Sequence, residues 1–241
     1  MDVTTKAVVL KSTDYKESDK YVLLYSLEYG KISVHARGVR KNSAKLKFAV
    51  DQFCFGQYEL AQSKDRFTLK TCEQLESFFC LREDIVTYYA ACVIAECLTL
   101  YTEEGQSDPP IFVETLKALQ SLSNGQQALA VTLRFMLAFF DLQGIKLQLD
   151  SCVACGESTN RLFLDLQRGG LVCDNCRTAD SVRVSPRAVA ICKMLFGMSY
   201  DRLSNVSVTS EVLKDALGLC NRYISHSYYP LKSLPELIKL A

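Results

Sequence analysis

The stretch Lys6–Lys41 reads KAVVLKSTDYKESDKYVLLYSLEYGKISVHARGVRK and holds three apolar runs separated by polar turns. Lys6–Lys11 is a compact β-branched run, and Ser12–Lys20 is polar. Tyr21–Leu27 is a second run, closed by a Tyr29-Gly30 turn. Over Ile32–Arg37, Ile32, Val34 and Ala36 alternate with polar residues, the period of a half-buried strand. Downstream, Phe53, Phe55, Tyr58 and Leu60 come two or three residues apart, and Gly56 sits where a bulge restores register. A Ser63-Lys64-Asp65 turn leads into Arg66–Glu73. About five short strands in some 75 residues suit a small closed barrel, since a sandwich typically needs about 100.

The pattern changes at Leu81. Ile85, Tyr89, Cys92, Val93, Cys97, Leu100 and Tyr101 follow helical spacing, and this helix is expected to end near Gly105. Asp108-Pro109 reads as N-cap and first residue of a second helix, stopped by Asn124-Gly125. Gln126–Gln143 carries only Arg134 and Asp141 as charges, so it should be a central helix buried on most sides, ended by Gly144. Three more helices are predicted: one capped by Ser185-Pro186 and running to Gly197, one over Thr209–Ser225, and a short one at Ser233-Leu-Pro-Glu236, which has capping-box spacing. The expected fold is α+β: an amino-terminal barrel over 1–80, then a helical domain over 81–241 with a cysteine-rich insert at 151–177.

At 241 residues, with 49% apolar and 23% charged residues, the chain is too apolar for disorder. The longest apolar runs, such as Ile85–Ala95, fall short of the roughly 20 residues of a membrane span. Met-Asp-Val-Thr-Thr-Lys is no signal peptide. Eleven cysteines without an export signal point to a reducing cytoplasm, where thiols and metal ligands replace disulfides. The net charge of +1 divides into +3 over residues 1–80, −5 over 81–150 and +3 over 151–241. The 22 residues between Glu28 and Asp51 hold no carboxylate and six cations: Lys31, Arg37, Arg40, Lys41, Lys45 and Lys47. Phosphate backbones need several cations within reach, and Tyr29, His35 and Phe48 lie among these as candidate stacking rings. The bland counterpart is a solvated loop, which most charge runs are.

Cys152-Val-Ala-Cys155 and Cys173-Asp-Asn-Cys176 are two C-x2-C knuckles separated by 17 residues. Such pairs aim four thiolates at one point, the ligand set of a structural zinc ion with no open position for catalysis. Phe163 and Leu164 with Gly169-Gly170 read as a hairpin carrying the second knuckle. The other seven cysteines fall on apolar positions and read as core. No catalytic signature is present. G-x-S-x-G, G-x-G-x-x-G and H-E-x-x-H are absent, and His35 and His226 are the only histidines.

Lys6–Lys41 resembles the amino-terminal domain of the RecO family of bacterial DNA repair and recombination mediators. The resemblance rests on Asp14-Tyr15, Glu17, Asp19, Gly30-Lys31, Gly38 and Arg40-Lys41. Leu81-Arg82-Glu83-Asp84, CVACG with Phe163 and GGLVCDNC (Gly169–Cys176), and Pro230-Leu231-Lys232-Ser233 extend it over nearly the whole chain. It implies an oligonucleotide-binding (OB) barrel followed by a helical domain carrying the zinc insert; some members lack the four cysteines. It also implies binding of single- and double-stranded DNA, annealing of complementary strands, and help in placing the RecA recombinase on strands coated by single-stranded-DNA-binding protein (SSB). The implied partners are RecR, sometimes RecF, and the acidic SSB carboxy-terminal tail; the implied location is the nucleoid.

The SSB tail ends in an apolar residue, so it needs an apolar pocket with a basic rim. Arg134, a lone cation on an apolar helix, is the sequence's candidate for that contact; a buried pair with Glu96 or Glu114 is the equal alternative. The leading reading is a non-enzymatic DNA-binding mediator. Its rivals are a zinc-containing interaction scaffold with incidental DNA contact, and a nucleic-acid-processing enzyme.

Overall fold

The computed structural model describes residues 1–64, 66–158 and 163–241. Five strands, β1 (Asp2–Tyr15), β2 (Asp19–Ser26), β3 (Gly30–Ala36), β4 (Phe55–Ser63) and β5 (Arg66–Glu76), close into a barrel in the order β1-β2-β3-β5-β4. All pairings are antiparallel except the short β3–β5 seam, Val34 with Phe67 and His35 with Thr68, which closes it. The alternation decides what faces inward. Val22, Leu24, Ile32, Val34, Tyr58 and Leu60 fill the interior, and removing such apolar area from water is the main stabilising term.

β1 is longer than its apolar run. The polar residues Ser12–Tyr15, read from sequence as a connection, pair with Val22–Asp19 in a tight hairpin. Their side chains need no core, only the neighbouring backbone. The β4–β5 register shifts between Phe55 and Gly56, at the glycine expected to bulge. A side chain at Gly56 would meet the Cys72 sulfur and the Glu73 carbonyl. The 63–65 turn includes Asp65, which lies outside the described residues.

The chain forms two compact units. The first comprises Met1–Glu83 with Ala95–Val113, the second Asp84–Ile94 with Glu114–Ala241. Within the first, the end of α1 (Ile85–Tyr101) and the connection beyond it lie against the barrel. Ser107 Oγ donates to the Leu27 carbonyl at 2.7 Å, and Phe112 packs on Tyr25 and Phe55. Gly30, at φ +60°, faces the Gln106 carbonyl so closely that any Cβ would collide with it. α1 begins at Ile85, four residues after the pattern changes: Phe79–Arg82 forms a short 3-10 turn, and the Asp84 carboxylate accepts the Thr87 amide at 2.8 Å. Asp108 caps α2 (Pro109–Ser123) as expected, accepting from the Ile111 amide at 3.1 Å.

In the second unit, eleven of the fifteen residues of α3 (Ala128–Leu142) are buried, the central helix its composition predicts. It packs with α4 (Pro186–Leu195) and α5 (Ser210–Ser227), and α6 (Ser233–Leu240) packs on α5. Ser185 caps α4, accepting the Ala188 amide. Ser233 is the first residue of α6 instead of its cap, so the capping-box alignment is displaced by one residue. A small sheet joins β6 (Phe163–Asp165) and β7 (Gly170–Val172), the expected hairpin of the insert, with β8 (Val182–Arg183) from the segment that follows it. No described helix is long and apolar enough to cross a membrane.

Candidate nucleic-acid interface and metal centre

The basic segment leaves the barrel at Ala36 and returns through a 3-10 turn at Phe48–Val50. Its apolar residues hold it down. Val39 is 5% exposed, and Leu46 and Phe48 pack against the barrel core. Its backbone is tied as well: the Arg40 amide donates to the Ser18 carbonyl at 3.0 Å, and the Gly38 amide to Asp19 Oδ1 at 2.8 Å. That Gly38 amide, opposed by partial burial and helped by His35 and Ser18, keeps the Asp19 carboxyl ionised below the usual carboxylate range. With the apolar residues turned in, the cations face water.

The six predicted cations divide into three groups. Arg37, Lys41 and Lys45 are exposed, and no described carboxylate pairs with them. Arg40 and Lys47 are also exposed but tethered: Arg40 to Asp14 at 3.2 Å and to the Lys16 carbonyl at 3.1 Å, Lys47 to the Asn42 carbonyl at 3.1 Å. Lys31 departs from the expectation. It lies on β3, and its Nζ donates to the carbonyls of Thr99 (2.7 Å) and Thr102 (2.5 Å) at the end of α1. A cation at a helix C-terminus satisfies carbonyls that lack intrahelical partners. Burial holds its pKa below the ordinary lysine value despite nearby Glu104, and Lys31 leaves the candidate surface.

Arg134 also departs from the expectation of an exposed partner contact. It is 8% exposed; its Nη1 lies 2.9 Å from Glu114 Oε1, its Nε donates to the Met198 carbonyl at 2.5 Å, and its guanidinium covers the Tyr200 ring. Tyr200 donates its hydroxyl to the same Glu114 oxygen at 2.8 Å. The arginine is the centre of a packed polar cluster and not an exposed partner contact; of the two carboxylates considered, Glu114 is the partner.

The four cysteines of the insert converge. All four Sγ atoms lie within 4.8 Å of one another, and Cys155 Sγ is 3.8 Å from Cys173 Sγ. Thiolates about 2.3 Å from a tetrahedral ion are roughly 3.8 Å apart, so the cluster fits a metal ion at its centre. Each knuckle closes through its own backbone: the Gly156 amide donates to the Cys152 carbonyl at 2.8 Å, and that of Cys176 to the Cys173 carbonyl at 3.1 Å. Burial opposes ionisation of Cys152, but amides of Cys173, Cys155 and Ala154 bring it down to about 6. The adjacent thiols of Cys173 and Cys155 push Cys176 up to about 12. Four sulfurs this close ionise together only around a cation. Among the remaining cysteines, 54, 72, 97, 192 and 220 are buried as expected, Cys92 is half-buried, and Cys80 is exposed.

One feature of the helical unit has no sequence signal. Leu137 and Phe140 of α3, Leu147, Leu149 and Phe196 line a cavity of about 180 Å³. Lys146 and Lys193 stand at its wall, paired with Asp141 (3.3 Å) and Asp150 (3.0 Å), and the Lys146 ammonium lies 3.8 Å from the Phe196 ring centre. Its residues come from three separate segments, so no local pattern announces it.

Residues 1–78 match the family described as recombination protein O N terminal, and residues 82–235 match recombination protein O C terminal. The chain is 31% identical over 226 residues to the DNA repair protein RecO of Clostridium novyi, covering 93% of this chain and 88% of that one. It is 30% identical over 226 residues to the DNA repair protein RecO of Bacillus pumilus, covering 92% and 88% of the two chains. The DNA repair protein RecO of Listeria monocytogenes is 30% identical over 233 residues, covering 95% and 91%. An OB-like barrel, a helical unit with a four-cysteine cluster and matches along almost the whole length agree: the chain belongs to the RecO family of DNA repair proteins.

Proposed function

We propose that this protein is a non-enzymatic recombination mediator whose amino-terminal domain, residues 1–80, binds the phosphate backbone of single- and double-stranded DNA. The observation that carries the reading is the pinned basic loop, where Arg37, Lys41 and Lys45 face solvent without a described carboxylate partner and Arg40 and Lys47 lie beside them. A surface of this kind screens the repulsion between two polyanions, which is what annealing complementary strands requires. Membership of a DNA repair family supports the same role. Loading of RecA onto coated strands, with RecR and in some members RecF, extends it. No step needs bond chemistry from the protein.

Zinc is the ion proposed for Cys152, Cys155, Cys173 and Cys176. Four soft thiolates within 4.8 Å of one another suit it, and with every position filled it would supply rigidity rather than reactivity. The site proposed for the SSB tail moves from Arg134 to the cavity beside Lys146 and Lys193. An apolar end group would enter between Phe140 and Phe196 while the acidic residues before it replace Asp141 and Asp150 as partners of the two lysines. Both ion pairs are partly open to water, Lys193 exposed and Lys146 half-buried over Phe196, so exchanging one carboxylate for another costs little.

The test is DNA affinity against salt. Three to five backbone contacts give a log–log slope on single strands of roughly −2 to −3.5. Reversal of Arg37, Arg40 and Lys41 to Glu is expected to weaken binding at least about tenfold, equally for unrelated sequences, because phosphate contacts carry no base code. An affinity within twofold of the unmodified protein means that the loop is merely solvated and leaves the scaffold reading in its place.

A further inference from the structure

Three aromatic rings stand together on the outside of the barrel. Thr13, Tyr21, His35 and Thr68 pair in one row across β1, β2, β3 and β5. Because strand residues alternate faces, their neighbours Val22 and Val34 fill the core while Tyr21 and His35 point outward. Tyr15, two residues beyond Thr13, lies on the same face. The Tyr21 and His35 rings are stacked, with centroids 5.1 Å apart and planes 24° from parallel. Tyr15 meets both edge-on, at 4.7 Å from Tyr21 and 5.6 Å from His35. Tyr15 and Tyr21 nevertheless remain 37% and 41% exposed.

The surroundings fix the rings and supply cations. His35 Nε2 is held 2.9 Å from Asp19 Oδ2, and the other oxygen of that carboxylate accepts the Gly38 amide. One carboxylate therefore locks an aromatic ring and the first residue of the basic loop together. Lys16 lies over the Tyr15 ring at 5.2 Å. The nearby acid Asp14 is already engaged by Lys20 at 3.1 Å and Arg40 at 3.2 Å, so it does not face an incoming phosphate alone. Exposed rings clustered in a solvated strand row, joined to a rail of cations, form a surface with one flat apolar element and one electropositive element. An unpaired nucleotide has those two complementary parts: a base with a π-face and a phosphate.

We propose that Tyr15 and Tyr21, with Tyr21 backed by His35, are a base-stacking platform that confers on this surface a preference for single strands over duplex. The inference deepens the DNA-binding reading and rests on it. Bases in a duplex are already stacked on one another and cannot reach the rings, whereas the basic loop grips either form. The loop sets affinity for any polyanion, and the platform sets the discrimination.

The chain has no tryptophan, so Tyr21→Trp places a single fluorescent indole in the cluster. Titration with unlabelled oligo(dT) is expected to quench that indole, and a duplex bound to the same saturation is expected to leave it largely unchanged. In parallel, the double variant Tyr15→Thr/Tyr21→Thr, which keeps strand-forming residues, should lose about tenfold or more in oligo(dT) affinity and less than twofold in duplex affinity. Tyr15→Phe/Tyr21→Phe should restore the single-strand value. Equal losses on both DNAs, or an indole unaffected by saturating oligo(dT), overturn the platform and leave the basic loop as the whole site. If the unmodified chain binds neither DNA, both readings fall.

Discussion

Replacing Cys173 with Ser is expected to empty the metal centre and unfold the insert while the helices around it persist. The unmodified chain should carry one zinc per molecule; the variant should carry less than about half an equivalent under the same preparation. Cys173 is 4% exposed, and Cys152, Val172 and Cys173 form the centre of the insert's small core. That core is too small to hold the described part of the insert by itself, since β6 and β7 are only three residues long each. Structural zinc sites in small domains contribute on the order of 10–16 kcal/mol of apparent binding free energy, so losing a ligand exceeds any other single change foreseen here. Limited proteolysis should cut the variant within the insert, and chelator treatment of the unmodified chain should reproduce the pattern. A variant that resists cleavage and melts with the parent would show that the sulfurs pack without a metal.

The second large effect is expected at Arg134. Its side chain and that of Glu114 are only 10% and 13% exposed, so Arg134→Met leaves a carboxylate in a low-dielectric site with a single hydroxyl donor, Tyr200. Removing one partner of such a pair typically costs about 3–5 kcal/mol, most of it the unpaired charge. For a chain of this size that is a fall in melting temperature of roughly 6–20 °C. The double variant Arg134→Met/Glu114→Gln, which removes the charge as well, should recover most of it, because apolar or neutral replacement of both partners is often close to neutral. Thermal melts of the two proteins decide the point. A loss that persists undiminished in the double variant assigns the cost to packing against Tyr200 and the Met198 carbonyl instead of charge.

Local patterns reported what depends on local chemistry. The alternation of Ile32, Val34 and Ala36 marks β3; Asp108-Pro109 starts a helix because the carboxylate reaches its own amides; two C-x2-C pairs close on themselves whatever surrounds them. Features that depend on a distant partner did not show. Ser12–Tyr15 is strand because of β2, not because of any apolar run of its own. Lys31 counts as one more cation until the ends of α1 and β3 meet, 68 residues apart in sequence. Arg134 reads as a lone charge until Glu114 and Tyr200 reach it from segments 20 and 66 residues away. Tyr15 and Tyr21 were visible as residues, but their clustering with His35 follows from barrel register. The cavity beside Lys146 and Lys193 is likewise a property of three segments packed together.

We propose that a basic barrel surface and a separate apolar cavity beside Lys146 and Lys193 let this chain pair strands that are already coated. It is tested most directly by the rate of annealing of complementary single strands, naked or coated with full-length or tail-truncated SSB. Acceleration is expected on naked strands and on the full-length coat, with a marked loss on the truncated coat and the same selective loss for Lys146→Glu/Lys193→Glu on the full-length coat. No acceleration on naked strands would contradict the mediator role itself, and equal rates on both coats would remove the tail cavity from it.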